Sequence, residues 1–377
     1  MAANKVHAAD GASASMKAAY VTEWCALGTV ADKVSFGDVP APPAPQKTQV
    51  LIGVKAASIT GDDVALMQDT FAGGTAHSAK PSAAKPLVGG MDYAGVVLAC
   101  GPNCKTLKVG DRVVGIMKVY EKQPGTWAER TIAPEKEVCR IEDDGISFVD
   151  AAAVAMGAFV DSAMIKSAGA AANGGRCLVL GASGALGTVM LQMLRGTAGH
   201  VTAVCSGKNA ETATRMGAHE VIDYTSSPFG EQLAAAEKFD VVFDFVGGRA
   251  LEREAAPLLA PGGRFITAVG PQQHQAKDQK LSCGALCSTL GYLLRRSLCN
   301  CGWKYKYTMA GPYPPLKADV WKAAVIESGA RAAIAEEVPF AEEPIRAAIK
   351  RVASHHAGGR VVINLETTCA TTGTGTG

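Results

Sequence analysis

The sequence predicts an α/β protein in which a doubly wound parallel-sheet domain is joined to a second domain built as an irregular β-barrel. Three observations support this prediction. A strand, a glycine turn, a helix and a second strand follow one another over residues 176–205, and strand–helix alternation then continues to residue 307. Short strands separated by turns fill most of the first 150 residues.

The chain is long and apolar enough for two domains with separate cores, since 48% of its 377 residues are hydrophobic and 19% are charged. Its net charge of +2 provides no general attraction to nucleic acid or to an anionic membrane. Eleven cysteines without a secretory signal are typical of free thiols in a reducing compartment. No apolar run reaches about 18 residues, so no transmembrane segment is expected.

The first domain is predicted over residues 16–150. Its strands are expected at 17–22, 49–57, 93–99 and 112–115. Thr60 is expected to cap a short helix at 60–67, and Asp62 and Asp63 favour the positive end of that helix. The loop at 71–85 either covers a substrate site or is simply exposed to solvent.

The two chain ends are expected to be disordered. Residues 1–15 are rich in Ala and Ser, and residues 367–377 are rich in Thr and Gly. A mitochondrial transit peptide is usually richer in Arg and free of acid, whereas the amino-terminal stretch contains Asp10. The predicted location is therefore cytoplasmic or mitochondrial.

The second domain is predicted over residues 151–307. Its first βαβ unit carries Gly181, Gly184 and Gly187, which let backbone N–H groups and the helix dipole approach a diphosphate. The spacing is G-x-x-G-x-x-G instead of the G-x-G-x-x-G of the dinucleotide fingerprint. The strand before this turn and the helix after it favour a nucleotide site over a plain strand–helix turn.

The end of the second strand distinguishes between the two dinucleotides. It continues as Ser206-Gly207-Lys208-Asn209 with no acid before Glu211, whereas an NAD site usually has Asp or Glu there. Ser206 can donate to a 2′-phosphate, and Lys208 can pair with it. We therefore predict NADPH over NADH; the alternative is an ordinary polar loop after a strand.

Further strands and helices are expected at 210–216, 221–223, 240–245, 249–259 and 264–269. Because open α/β sheets bind ligands at the carboxyl ends of their strands, Ser206, Tyr224, Val246 and Ala268 should line one crevice. Residues 308–366 end in a strand, which predicts a return to the first domain.

The stretch 281–307 combines an apolar segment with basic residues and with Cys283, Cys287, Cys299 and Cys301. The cysteine spacing C-x3-C-x11-C-x-C fits zinc poorly, so packed thiols are expected. The apolar and basic part at 285–306 either lies on a membrane surface or forms a helix packed at a domain or subunit boundary.

Three motifs link this sequence to a known family: GMDYAGVV at 90–97, KVGDRV at 108–113 and GASGALG at 181–187. With these motifs in this order, residues 16–366 resemble the zinc-free quinone oxidoreductase branch of the medium-chain dehydrogenase/reductase superfamily. The resemblance implies a GroES-like barrel, formed from both chain ends, around a central Rossmann domain. It also implies NADPH as hydride donor and a small-molecule quinone or α,β-unsaturated carbonyl as acceptor. Homodimers are common in this branch, so a homodimer is an open alternative.

The resemblance assigns cofactor contacts by matching position. The diphosphate would be held by Ser183, Gly184, Ala185 and Leu186. The adenosine phosphate end would be held by Ser206, Lys208 and Tyr224. The ribose and nicotinamide would lie near Phe245, Val246 and Ala268. The cofactor would be closed over by His356, Ala357 and Gly358.

The resemblance also argues against a metal site. Met91 and Asp92 stand where zinc dehydrogenases of the superfamily have His and Glu, and a thioether is not a usual zinc ligand. Val160 stands where relatives have Thr near the nicotinamide. The mechanism would then depend on positioning of the two reactants.

No residue is a convincing general acid, so the catalytic residues are unassigned. Tyr93 is interpreted as core, while Tyr120 and Thr60 are weaker alternatives for orienting a substrate carbonyl. The changed residues at the nicotinamide end support a second hypothesis. In it, the protein binds NADPH without efficient turnover and acts as a sensor or docks a partner through residues 285–306.

Overall fold

The computed structural model describes residues 14–68, 80–117, 125–142, 145–271, 283–298, 304–310, 317–354 and 357–367. The chain forms two compact units. Unit 1 consists of the described residues of 1–152, 336–355 and 361–377, and unit 2 consists of those of 153–335 and 356–360.

Unit 1 is built mainly from antiparallel strands. Its first strands are β1 (Ser15–Val21), β2 (Ser35–Pro40), β3 (Gln49–Ile59), β4 (Leu87–Val88), β5 (Asp92–Cys100), β6 (Arg112–Ile116), β7 (Arg130–Pro134) and β8 (Val138–Arg140). A small sheet has the order β2-β1-β4, and in the larger sheet β3 pairs with β5 and β7, followed by β6 and β8. Register shifts between β3 and β5, near Leu51 and Val54, make the larger sheet irregular.

Two short helices, α1 (Val30–Lys33) and α2 (Gly61–Leu66), interrupt these strands. Trp127 and Tyr93 are fully buried in this unit, and the Trp127 indole N–H donates to the Ser58 carbonyl at 3.0 Å. Tyr93 therefore belongs to the core, as expected. Tyr120 and most of the loop predicted at 71–85 lie outside the described residues.

Unit 2 is a parallel sheet with connecting helices. After α3 (Phe148–Ala168), it contains β9 (Arg176–Leu180), α4 (Gly187–Leu194), β10 (His200–Cys205), α5 (Ala210–Met216), β11 (Glu220–Asp223), α6 (Phe229–Gln232), β12 (Phe239–Asp244), α7 (Arg249–Ala255), β13 (Leu259–Thr267), α8 (Cys283–Leu298), β14 (Lys306–Met309) and α9 (Ala318–Trp321). The strand order is β11-β10-β9-β12-β13-β14, and each of these pairs is parallel. The order reverses between β9 and β12, as in a doubly wound sheet.

Successive side chains of each strand in unit 2 point to opposite faces of the sheet, and each face packs against its own apolar core. Cys177 and Val179 of β9 belong to a cluster with Leu191 of α4. Leu178 and Leu180 of the same strand belong to a second cluster that includes residues of α6 and β13. Because both faces are covered, the strands are almost continuously apolar, and this made them easy to predict.

The chain ends with β15 (Ile334–Pro339), α10 (Glu342–Ala353) and β16 (Arg360–Asn364). β16 pairs antiparallel with β3, so the predicted return to the strand-rich unit occurs. It begins later than residue 308, because β14 is the sixth strand of the parallel sheet. The Gln192 side chain also donates to the Arg331 carbonyl at 2.6 Å and accepts from its N–H at 3.1 Å, which ties the segment after α9 to α4.

One helix in the described part of the chain, Phe148–Ala172, is long and apolar enough to cross a membrane, although the sequence analysis expected none. It comprises α3 and a short 3-10 continuation. Within its most apolar window, 56% is buried inside the structure. Length and composition are weak evidence for a span here, because a core helix of a soluble protein has the same properties.

We predict that Gly187→Ala lowers the free energy of unfolding by about 1–3 kcal/mol in urea denaturation. A Cβ at Gly187 would lie 2.4 Å from the Gly181 carbonyl oxygen and 2.7 Å from Cα of Ala182, and neither backbone atom can move without opening the turn. Gly291→Ala in α8 is the matched control, since its Cβ would enter open space. We expect that control to be neutral or stabilising by about 0.5–1 kcal/mol. Equal stability of Gly187→Ala and wild type would contradict the close packing of α4 on β9.

Candidate functional site

The parallel register of unit 2 brings the carboxyl ends of five strands to one level. Leu180 of β9 aligns with Val204 of β10 on one side and with Asp244 of β12 on the other. Val204 aligns in turn with Ile222 of β11, and Asp244 with Thr267 of β13. In each of these strands, the predicted cofactor residues come within a few positions after the aligned residue. This edge of the sheet, at the carboxyl ends of the strands, is therefore the candidate site.

In the part of the chain that the structure describes, the turn between β9 and α4 has peptide N–H groups without a backbone partner. The Gly184 N–H donates to the Gly181 carbonyl at 3.0 Å, and the next donor that follows with a backbone partner is Thr188, bonded to the Gly184 carbonyl at 3.0 Å. Between them lie the N–H groups of Ala185, Leu186 and Gly187, which are the ones a helix start leaves for other acceptors. Such a turn binds an anion well, and diphosphate is the anion that the sequence predicts.

The turn after β10 connects two of the predicted serines. The Asn209 side-chain amide donates to Ser183 Oγ and to Ser206 Oγ, at 3.1 Å each. The Asn209 backbone N–H donates to the Ser206 carbonyl at 2.8 Å and closes the turn. Asn209 is not among the predicted site residues, although it lies in the same polar loop as Ser206 and Lys208.

A carboxylate lies closer to this turn than the sequence suggested. Asp223, at the end of β11, accepts from the Thr225 hydroxyl at 2.6 Å and from its N–H at 2.9 Å. These hydrogen bonds and a further one from the Gly207 N–H hold the pKa of Asp223 below its usual value. A Cβ at Gly207 would lie 2.4 Å from Asp223 Oδ2. This acid lies at the end of the neighbouring strand β11, whereas an acid was expected only at the end of β10.

Lys208 and Tyr224 lie at the same edge. Lys208 is exposed in the 3-10 turn that follows β10. The Tyr224 N–H donates to the Cys205 carbonyl at 3.2 Å, and the Tyr224 side chain is 53% exposed. A cation, a hydroxyl at Ser206 and an aromatic ring are therefore available where the adenosine phosphate end was predicted.

The turns after β12 and β13 are each held by the last side chain of the preceding strand. Asp244 accepts from the N–H groups of Val246 and Gly247, at 2.9 Å each. Thr267 Oγ1 accepts from the N–H groups two and three residues further on, at 3.1 and 2.9 Å. Burial raises the pKa of Asp244, and the two N–H donors act against that rise. Phe245 follows Asp244 directly and is held in place by this turn.

An apolar surface lies beside these turns. Leu186, Phe245 and Ala268 are partly buried and pack against one core cluster, to which Val160 of α3 also belongs. Three predicted cofactor residues from three separate turns thus pack against the same core cluster. Their apolar side chains suit a flat ring better than a phosphate.

Asp161 of α3 is buried, and its two carboxylate oxygens have no hydrogen-bond partner among the described residues. Burial raises the pKa of Asp161 well above its usual value, against an opposing effect of Arg360. Arg360 is itself held by the carbonyls of Ala333, at 2.7 Å, and Ala153, at 3.2 Å.

The predicted closing segment immediately precedes Arg360. Ala357 is half-buried and Gly358 is exposed with a positive φ of 73°, whereas His356 lies outside the described residues. Both described residues belong to unit 2. Their approach to a cofactor stays a prediction.

Unit 1 contains a pair of buried carboxylates around the predicted helix cap. The Thr60 N–H and hydroxyl donate to Asp63 Oδ2 at 2.7 Å each, which confirms Thr60 as the cap of α2. Ser58 donates to Asp92 Oδ2 at 2.7 Å. Burial raises the pKa of Asp63 to about 8, and the neighbouring Asp92 adds to this rise. Because its proton goes to Asp63, the Thr60 hydroxyl is a poor donor for a substrate carbonyl.

These residues do not fit a zinc ion. Met91, buried beside Asp92, offers a thioether where an imidazole would be needed. Across the ranges that the structure describes, no group of three or more His, Cys, Asp or Glu side chains is placed to hold a metal. Whether Cys283, Cys299 and Cys301 bind zinc stays open. The side chain of Cys283 lies outside the described part of the structure, as do Cys299 and Cys301.

Residues 285–298 of the apolar and basic stretch lie in α8, which is attached to unit 2 through one face. Arg296 pairs with Glu252 of α7, and both side chains are buried. The Tyr305 hydroxyl donates to Glu252 at 2.6 Å. Leu290 and Leu294 lie on the exposed part of α8, at 50% and 56% exposure. The basic residue Arg296 is thus a core anchor, not a surface cation.

Known protein families match regions in both halves of the chain. The family model "Alcohol dehydrogenase GroES-like domain" matches residues 46–143, and the model "Zinc-binding dehydrogenase" matches residues 216–363. The mitochondrial NAD(P)H oxidoreductase RTN4IP1 of Danio rerio is 32% identical over 291 residues, which cover 74% of this chain and 72% of that protein. The trans-enoyl reductase pgmF of Aspergillus terreus is 33% identical over 224 residues, covering 58% and 61%.

Among solved structures, the quinone oxidoreductase from Coxiella burnetii has a TM-score of 0.74 at 20% identity, covering 93% of this chain and 99% of that one. At this identity the likeness concerns the fold. With the sheet orders described above, the matches confirm the predicted fold class, a GroES-like domain combined with a Rossmann domain.

We predict that Asp63→Asn makes the protein more stable than wild type, by an amount that grows with pH. The folded pKa of about 8 exceeds the usual 3.8, so below pH 4 both states are protonated and nothing is lost. As the pH rises from 4 to 8, the unfolded chain ionises first and wild-type stability falls. Between pH 5 and pH 7.5, urea midpoints should show the difference between wild type and Asp63→Asn widening by roughly 1–3 kcal/mol.

Asp62→Asn is the matched control, because Asp62 is exposed on the same helix. Its difference from wild type should not widen over the same pH interval. If Asp63→Asn follows the control, Asp63 is already ionised in the folded protein.

Proposed function

Because this chain belongs to the medium-chain dehydrogenase/reductase superfamily, quinone oxidoreductase branch, we propose that it transfers hydride from NADPH to a quinone or an α,β-unsaturated carbonyl. Its relatives support an oxidoreductase that uses a nicotinamide cofactor. The use of NADPH is supported by the hydrogen bonds of Asn209 to Ser183 and Ser206, which lie beside the N–H groups of the β9–α4 turn.

The cofactor would be held as the sequence predicted. Ser183 and the N–H groups of the turn that contains Gly184, Ala185 and Leu186 would bind the diphosphate. The adenosine phosphate end would lie against Ser206, Lys208 and Tyr224. The apolar surface of Phe245, Val246 and Ala268 would support the nicotinamide ring. His356, Ala357 and Gly358 would close over it.

The preference for NADPH depends on a balance of charges. The Asp223 carboxylate disfavours a 2′-phosphate, but its oxygens already accept hydrogen bonds from Thr225 and Gly207. Lys208 supplies an opposite charge at the same turn, and the Ser206 hydroxyl supplies a charge-assisted donor. We expect the donors to outweigh the partly buried acid, because the Asp223 oxygens already accept hydrogen bonds whereas the Ser206 hydroxyl can donate directly to the phosphate.

Bound NADPH would supply the hydride, and the residues of the chain would bind and orient the reactants. The apolar surface around Phe245 would keep water from one face of the reaction site. Zinc would play no part, since Met91 replaces an imidazole. The proton would come from solvent or from a nearby hydroxyl, and the residue that delivers it is unassigned.

The acceptor class is supported by relatives, of which one is named a trans-enoyl reductase and another a quinone oxidoreductase. The mitochondrial RTN4IP1 relative favours mitochondria over cytoplasm for this chain. A small molecule is thus the expected partner, with no nucleic acid, and a homodimer stays open.

A second candidate function is an NADPH-binding sensor with little turnover. Val160 in place of Thr and the exposed Leu290 and Leu294 on α8 motivate it.

We predict NADPH oxidation with at least one quinone or enone from a panel, followed by the loss of NADPH absorbance. NADPH binding in the micromolar range with no turnover on the entire panel would favour the sensor instead. Treatment with a metal chelator should leave the rate of NADPH oxidation unchanged. A loss of activity that zinc restores would contradict the prediction that the reaction needs no zinc.

We predict that the double variant Ser206→Ala/Lys208→Ala weakens NADPH binding about 10- to 100-fold and changes NADH binding little. Both side chains act on the 2′-phosphate, which NADH lacks. Isothermal titration with both cofactors measures this. Lys238→Ala is the control, because Lys238 precedes β12 at the opposite edge of the sheet, where its ammonium donates to the Pro257 carbonyl. Unchanged cofactor preference in the double variant would refute the assignment.

A further inference from the structure

Asn209 occupies a position between the two phosphate-binding ends of the proposed site. Its side-chain nitrogen lies 3.1 Å from Ser183 Oγ in the β9–α4 turn and 3.1 Å from Ser206 Oγ in the turn after β10. The two serines are 23 positions apart in the chain, and the parallel pairing of β9 with β10 brings their turns together. One side chain therefore contacts both turns.

The hydrogen-bond inventory of this trio is restrictive. An amide nitrogen has two N–H donors, while each serine hydroxyl has one proton and two acceptor lone pairs. When both N–H groups of Asn209 are directed at the serine oxygens, each hydroxyl accepts from Asn209 and keeps its own proton. That proton must then point away from Asn209 to find an acceptor.

Phosphate oxygens are acceptors only, and a hydroxyl that donates to them makes a charge-assisted hydrogen bond. We propose that Asn209 is a positioning residue that turns the Ser183 proton toward the diphosphate and the Ser206 proton toward the 2′-phosphate. This inference rests on the proposed function and adds a residue that couples the two ends of the cofactor. Binding at one end then depends on the same amide that prepares the other.

The identity of the side chain follows from this role. Aspartate has the same shape but only accepts, so it would draw both hydroxyl protons toward itself and add a negative charge beside the phosphates. Alanine would leave both hydroxyls free to rotate. Asn209→Asp should therefore be worse than Asn209→Ala, although it is the closer match in shape.

The test is the affinity of wild type, Asn209→Ala and Asn209→Asp for NADPH, NADH and adenosine 2′,5′-bisphosphate, by isothermal titration. We expect NADPH affinity to fall about tenfold in Asn209→Ala and about 100-fold in Asn209→Asp. NADH should lose less, since only the Ser183 end acts on it. In steady state the KM for NADPH should rise while kcat stays near the wild-type value.

A double-mutant cycle separates positioning from structure. In a Ser206→Ala background, Asn209→Ala should no longer weaken binding of the bisphosphate, because no hydroxyl is left to orient. Asn173→Ala and Asn173→Asp are matched controls, because Asn173 is exposed ahead of β9 at the opposite edge. Asn209→Ser replaces the alanine variant if that one folds poorly, and should bind NADPH as weakly.

The outcomes distinguish this inference from the proposed function. Wild-type affinity of both Asn209 variants for NADPH would overturn the inference while the cofactor assignment stands. Equal losses in the alanine and aspartate variants, or additive losses in the cycle, would overturn the orientation of the hydroxyl protons. If wild type binds NADH as tightly as NADPH, the predicted preference for NADPH is wrong. In that case, weaker NADH binding by Asn209→Ala would still support the role of Asn209 at Ser183.

Discussion

The register of the parallel sheet in unit 2 is the constraint on which the proposed site depends. Leu180 aligns with Val204 and with Asp244, and these align with Ile222 and Thr267. A shift of one strand by one residue would exchange the two faces of that strand and bury different side chains. Because both faces are covered by apolar clusters, such a shift is costly, and the carboxyl ends of all five strands stay at one edge.

Local patterns in the sequence were sufficient for much of this fold. The apolar run before Gly181 and the periodic segment after Gly187 predicted β9 and α4, because each pattern concerns neighbours in the chain. Exposed and polar strands were missed, and β14 is the instructive case. Its residues Lys306–Met309 do not alternate clearly, so the boundary of the second domain was placed too early. Only its pairing with β13 identifies it as part of the sheet.

The site itself was less accessible to sequence reasoning, and the reason is distance along the chain. Ser206 and Lys208 were found because they follow a strand directly. The proposed role of Asn209 depends on its contact with Ser183, 26 positions earlier, and the closeness of Asp223 depends on Gly207, 16 positions earlier. No local motif encodes these contacts. The turn sequence at 206–209 does contain an amide and two polar partners, so a search for side chains that join neighbouring strand ends would have selected Asn209.

The carboxylates around this edge explain why donor orientation, more than net charge, should decide the cofactor. Burial favours the neutral form of Asp161 and Asp244, whereas the hydrogen bonds of Asp223 favour its ionised form. The partly buried Asp223 carboxylate and the exposed Lys208 ammonium lie at the same edge of the sheet, and salt screens the long-range effect of each on a phosphate. What remains is short-range: a hydroxyl proton that is or is not directed at a phosphate oxygen. In the proposed site, selectivity for NADPH would come from the geometry of Ser206, which would depend in turn on the Asn209 amide beside it.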